Sequence, residues 1–170
     1  MSYKHRFSIF LTVLTFLMVA VLTSCGGDSS SERGDDIAPD FTLKTLSGGS
    51  FTMSGTKGKV VILDFWAGWC PPCKKELPHF QALHRAYEKK GLKVIGVLVD
   101  ARDMASVESL IQEYGISYAI LLGNDSVAAA YGGVRSIPTT FVIDREGRIV
   151  RKFVGYRDKE VFETVVKELL

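Results

Sequence analysis

The chain has 170 residues, enough for one domain with a full core, and 46% of them are apolar. Its 21 Lys and Arg stand against 19 Asp and Glu. Residues 1–24 hold two of the basic ones, Lys4 and Arg6, and no acidic one; taking those two from 21 leaves 19 basic against 19 acidic residues. A basic footprint for nucleic acid is therefore excluded, and so is a polybasic membrane patch.

In chain order, Lys4, His5 and Arg6 precede the apolar run "FSIFLTVLTFLMVAVL" at residues 7–22. The run is short for a membrane span, which needs about 20 residues. A basic start and an apolar middle suit a secretory signal. It ends on "LTSC", residues 22–25, which resembles the lipobox of bacterial lipoproteins. That resemblance implies cleavage before Cys25 and lipid on its sulfur and amine. An uncleaved N-terminal anchor is the competing reading, and it too sets the domain outside the cytoplasm at a membrane surface. "GGDSSSERGDDIA", residues 26–38, is polar and Gly/Ser-rich and reads as a flexible tether. The expected organisation is a signal over 1–24, lipidated Cys25 and a tether over 25–38, and a folded domain over 39–170.

From Pro39 the pattern is globular. "FTL" and "SFTM" flank "SGG", predicting a short hairpin. "KVVILDFWA" is a continuous β-type apolar run, predicting a central strand buried on both faces. A helix follows, with Leu77, Phe80, Leu83 and Tyr87 at helical spacing and Gly91 as its stop. "LKVIGVLVD" predicts a second buried strand. Val107, Leu110, Ile111 and Tyr114 form the stripe of an amphipathic helix. "YAILL" predicts a strand and "DSVAAAY" a short helix. "TTFVID" and "RIVRKFVG" flank "REG" as a hairpin. The last helix starts near Asp158 with two stripes, Val161/Val165/Leu169 and Phe162/Val166/Leu170. Strands alternate with helices and a hairpin closes the sheet, which predicts an α/β domain with a mixed central sheet and helices on both faces.

The chemistry concentrates in "DFWAGWCPPCKKELP", residues 64–78, which holds two of the three cysteines. Cys70 falls at a strand-to-helix junction, with Pro71 and Pro72 at the helix start, where a missing N–H matters least. A sulfur at that positive helix end is stabilised as the thiolate that attacks disulfides. Cys73, one turn on, is placed to resolve the mixed disulfide. A structural staple is a weaker reading, because so short a loop gains little chain entropy. A metal half-site is also weaker: its candidates, His79 and His84, lie about 140° apart around one helix. No metal and no cofactor beyond the Cys70–Cys73 pair is expected. Asp64 is the only charge in "VVILDFWAGW", so in a central strand its carboxyl is buried and its pKa raised.

"WAGWCPPCKKELP", "SIPTTFVID" and "FVG" together resemble the thioredoxin superfamily, and more narrowly its membrane-tethered TlpA/ResA-like thiol–disulfide oxidoreductases. The match spans residues 36–170, and residues 101–130 fit that group's inserted helix and strand. The resemblance implies a thioredoxin fold with an N-terminal hairpin. It implies Cys70 as the exposed nucleophile and Cys73 as the resolving thiol. It implies a cis-proline at Pro138, with Ile137 offering its backbone to a substrate peptide, a helix kink at Pro78, and Trp66 and Trp69 on the docking rim. It also implies that Asp64 takes the proton of the resolving thiol; many TlpA-like proteins have an uncharged residue there, so this chain departs toward plain thioredoxin. Expected partners are exported protein thiols and disulfides, including those of apocytochrome c, with a membrane thiol carrier as electron donor. The resemblance also implies reduction as the direction, and the prolines at 71 and 72 lend it weak physical support, since they leave fewer N–H donors for the Cys70 thiolate. Oxidation or isomerisation of exported disulfides is the alternative direction. A thiol peroxidase would want Thr or Ser at position 67, which is Ala, and a copper-binding assembly factor would want wider-spaced cysteines and a His beyond His84.

Overall fold

The computed structural model describes residues 36–170. A two-stranded hairpin comes first, β1 (Thr42–Lys44) against β2 (Ser50–Thr52), with Leu43 opposite Phe51. Its turn needs Gly48 and Gly49, whose φ values of 92° and 89° lie where a side chain would clash with the backbone. The predicted strand character of "SFTM" stops at Thr52: residues Met53–Thr56 form a 3-10 turn, in which Thr56 Oγ1 donates to the Met53 carbonyl at 2.7 Å.

Five strands make the main sheet: β3 (Val60–Ala67), β4 (Leu92–Asp100), β5 (Ala119–Leu122), β6 (Thr139–Ile143) and β7 (Ile149–Val154), in the order β5-β4-β3-β6-β7. β3 runs parallel to β4, and β4 to β5; β6 is antiparallel to both β3 and β7. Every residue of β3 is buried, Asp64 included, as its near-continuous apolar run predicts for a strand covered on both faces.

The helices are α1 (Pro71–Tyr87), α2 (Met104–Glu113), α3 (Asp125–Ala130) and α4 (Lys159–Leu169). α1 passes into a 3-10 turn, Glu88–Lys90, that ends on left-handed Gly91. Asp103 and Asn124 cap α2 and α3 by accepting from the N–H three residues on, satisfying donors the helix cannot. Leu77, Phe80 and Leu83 of α1, Val107 and Leu110 of α2, and Phe162 and Val166 of α4 pack with Ile62 and Trp66 on one face of the sheet. Phe162 lies between Phe80 and Phe153, with ring centroids 4.9 and 5.2 Å away. Leu43, Met53, Val127 and Tyr131 cover Leu63, Phe65 and Phe141 on the other face.

Three details differ from the sequence reading. The second face is covered by one short helix and the hairpin, so most of the helical mass is on the first. In α4 only Phe162 and Val166 are fully buried while Val161 is exposed, because one helix offers the sheet a single stripe. Residues 36–38, read as tether, join the fold: Ile37 pairs with Arg148, and Ala38 N–H donates to the Gly147 carbonyl at 2.8 Å. Ala38 is buried against the second core cluster and backbone bonds hold the rest, Ile149 N–H donating to the Asp36 carbonyl at 2.9 Å, while the Ile37 side chain stays exposed. Among the described residues, no helix is long and apolar enough to cross a membrane.

Candidate active site

β3 delivers the chain to the top of the sheet, and Gly68 lets it turn there beneath α2. A Cβ on Gly68 would lie 3.0 Å from Val107 Cγ2, so a larger residue would press on α2. Cys70 is the N-cap of α1. Its Sγ is bonded to Cys73 Sγ at 2.09 Å, with the two Cα atoms 5.3 Å apart. Pro71 and Pro72 occupy the first two helical positions and have no N–H, so the first donor of the helix is Cys73 N–H. That single donor points at Cys70 Sγ, 3.3 Å away.

Cys70 is only 2% exposed, where the family pattern implies an exposed nucleophile. In the disulfide its sulfur is turned inward toward Cys73 and the helix end. Cys73 is fully buried in the same apolar cluster as Leu77 and Trp66.

Asp64 stands on the α1 face of β3, the face it shares with Ile62 and Trp66 by strand alternation. It is buried, and Thr140 Oγ1, directly opposite on β6, donates to its Oδ1 at 3.0 Å. Desolvation raises its pKa well above the ordinary carboxylate range; the nearby Glu76 charge raises it further, and the Thr140 bond opposes both.

Glu76 is the residue that sequence reasoning missed. It is fully buried on α1, one turn beyond Cys73. Its Oε1 accepts from Arg157 N–H at 2.6 Å, and its Oε2 is buried with no hydrogen-bond partner. Burial pushes its pKa up to about 7 against the opposing pull of Arg157. "KKE" reads as an ordinary charged helix face. The available signal was spacing: position 76 falls at i+3 from Cys73 and beside Leu77 and Phe80, on the inward stripe. Two buried carboxyls thus lie on the elements that carry the disulfide, and the charge of Glu76 bears on Asp64.

The Ile137–Pro138 peptide bond is cis. Gly155 N–H donates to the Pro138 carbonyl at 2.8 Å, and the β6 ladders begin at Thr139, so Ile137 precedes the paired strand. Trp69 is 57% exposed, whereas Trp66 is wholly buried and belongs to the core rather than to a rim. The Trp66 indole reaches over Gly96, which pairs with Asp64 on β4, where a Cβ would come within 2.8 Å of both the indole nitrogen and Ile120. Pro78 lies exposed inside α1, where it removes one helix N–H. His79 and His84 diverge as their spacing requires: His79 is half-buried against Tyr156, and His84 is buried against Tyr118, which lowers its pKa. No metal-ligating cluster of three or more side chains exists among the described residues. Cys25 lies outside the described residues.

This geometry can exchange a dithiol for a disulfide, with buried carboxyls beneath to hold or accept a proton. The comparisons agree with it. Residues 35–152 match the AhpC/TSA family. The chain is 33% identical over 132 residues to the thiol-disulfide oxidoreductase ResA of Bacillus thuringiensis, covering 78% of this chain and 76% of that one. It is 31% identical over 170 residues to ResA of Bacillus cereus, covering 98% of each. A solved structure of a thioredoxin-family thiol:disulfide interchange protein from Chlorobium tepidum superposes with a TM-score of 0.73 at 30% identity, covering 84% of this chain and 99% of that one.

Proposed function

Since the chain belongs to the AhpC/TSA family and is a ResA-like thiol–disulfide oxidoreductase of thioredoxin fold, we propose that it works outside the cytoplasm as a reductase of disulfides in exported proteins, apocytochrome c among them. Lipid on Cys25 holds it to the membrane, and a membrane thiol carrier returns its electrons. The reduced protein begins as the Cys70 thiolate. Cys70 Sγ attacks one sulfur of the partner disulfide, forming a mixed disulfide and releasing the other partner sulfur as thiolate. Asp64, as carboxylate, takes the proton of Cys73. The Cys73 thiolate then attacks Cys70 Sγ, which expels the second partner thiolate and closes the Cys70–Cys73 disulfide. Two electrons pass to the partner, and the proton on Asp64 leaves to water or to the departing thiolate. Glu76 influences the charge that Asp64 can carry, and Ile137, Pro138 and Trp69 receive the partner chain.

The observation that carries the direction is the lone backbone donor at Cys70 Sγ. A thiolate with few donors is a less stable product of reduction, so the couple gives up electrons more readily. Two measurements test the proposal. Cys73→Ser stalls the mixed disulfide, and mass spectrometry of the trapped species is expected to return exported proteins with paired cysteines. The reduction potential is expected below about −200 mV; a value near that of a strong oxidant, about −120 mV, would overturn the direction.

A further inference from the structure

β4 carries one residue more than β3 beside the site. Trp66 pairs with Leu98, but Ala67 pairs with Asp100, so Val99 is the extra residue of a bulge and is 38% exposed. A bulge re-aims the side chains that follow it. Here Asp100 turns toward the Cys70 loop, and Trp69 Nε1–H donates to its Oδ2 at 3.0 Å. Asp100 is itself held from the far side by Arg102. The Arg102 backbone N–H donates to Oδ1 at 3.0 Å, its Nε–H lies 3.0 Å from both carboxylate oxygens, and its Nη2 donates to Oδ2. The Asp100 side chain is 14% exposed and the Arg102 side chain 88%. These bonds, from Arg102 first and Trp69 second, hold the Asp100 carboxyl well below the usual range, so the clip is charged at any physiological pH.

Trp69 would otherwise be free to turn. It is the most exposed large aromatic beside the disulfide, and a mobile indole loses rotamer freedom each time a partner settles on it. A side chain ordered before binding does not carry that cost. Isolated exposed ion pairs contribute little to stability. Three donors of one Arg aimed at one covered carboxylate, on a residue already displaced by a bulge, are better explained by what the carboxylate holds.

We propose that Asp100, locked by Arg102, is a positioning residue that fixes the Trp69 indole as a preformed wall for the partner protein, and so sets selectivity for protein disulfides over small ones. Arg102 sits at the root of the inserted segment, two residues before α2, so the insertion acts on docking through this clip. The inference rests on Trp69 receiving the partner chain.

The test compares insulin, as a protein disulfide, with oxidised glutathione. Asp100→Ala and Arg102→Ala are expected to raise KM for insulin about three- to tenfold, the range lost with one hydrogen bond, with kcat held and glutathione kinetics little changed. Asp100→Asn, which keeps an oxygen for the indole, should recover part of the loss. In the NMR spectrum, Asp100→Ala should shift and broaden the Trp69 indole N–H signal and leave that of buried Trp66 in place. In a Trp69→Ala background, Asp100→Ala should add nothing. Wild-type KM in Asp100→Ala, or an equal loss with and without Trp69, overturns the clip. An unchanged KM in Trp69→Ala overturns the docking reading beneath it, and the NMR signal separates the two failures.

Discussion

Replacing Glu76 by Gln should stabilise the protein at alkaline pH relative to its effect in acid. The Glu76 carboxyl titrates near 4.5 when unfolded and at about 7 in the fold, because burial disfavours its anion. Below the lower value it is neutral in both states, and parent and variant should match apart from a constant offset. Between the two values the folded state binds the extra proton, so the parent loses stability as pH rises. Above about 7 both states are ionised and the whole difference is expressed. The full shift corresponds to about 3 kcal/mol, and solvent relaxation and the Arg157 bond reduce what is measured to about 2 kcal/mol. Urea unfolding of both oxidised proteins, at matched pH from acid to alkaline, reads it as a growing gap in midpoint; the other titrating groups cancel in the comparison. A gap that stays constant through the window refutes the reasoning, since Glu76 would then not be held neutral by burial. The charge it places near Asp64 has a second consequence. Without it the Asp64 pKa falls, so the acid limb of mixed-disulfide resolution should move to lower pH.

Asp64→Asn should slow resolution of the mixed disulfide by about 100-fold, the lower end of the range for losing a general base, while the first attack by Cys70 changes little. Acid-quenched single turnovers separate the two steps, and an unchanged resolution rate across neutral pH would remove Asp64 from the proton path. Phe162→Ala should destabilise the domain by about 3–5 kcal/mol, because a fully buried ring between Phe80 and Phe153 leaves a cavity. Denaturant unfolding checks it; a loss under about 1 kcal/mol would mean that α4 collapses onto the gap.

Much of the fold was legible because it rests on local patterns. A short, near-continuous run rich in β-branched residues reads as a strand covered on both sides, so β3 and β4 were evident from "KVVILDFWA" and "LKVIGVLVD". The helical stripe of Leu77, Phe80 and Leu83 likewise located the buried face of α1. Asp64 stood out as a lone charge in an apolar strand, and it is buried. The order of the five strands, the bulge at Val99 and the partial cover of the second sheet face depend on how distant segments meet, and no local pattern carries that.

The site divides along the same line. The two cysteines at a helix start, the prolines that strip that start of donors, and the carboxyl beneath were already legible, since each is a matter of residue type and spacing. It took the packed chain to cover Cys70, to turn Glu76 inward with one oxygen unpartnered, and to bring Asp100 to Trp69. Burial and hydrogen-bond partnership belong to the packed chain. A charged residue reads as solvated until a second segment, here the Arg157 loop over Glu76 or the Trp69 loop against Asp100, closes over it and changes what its charge can do.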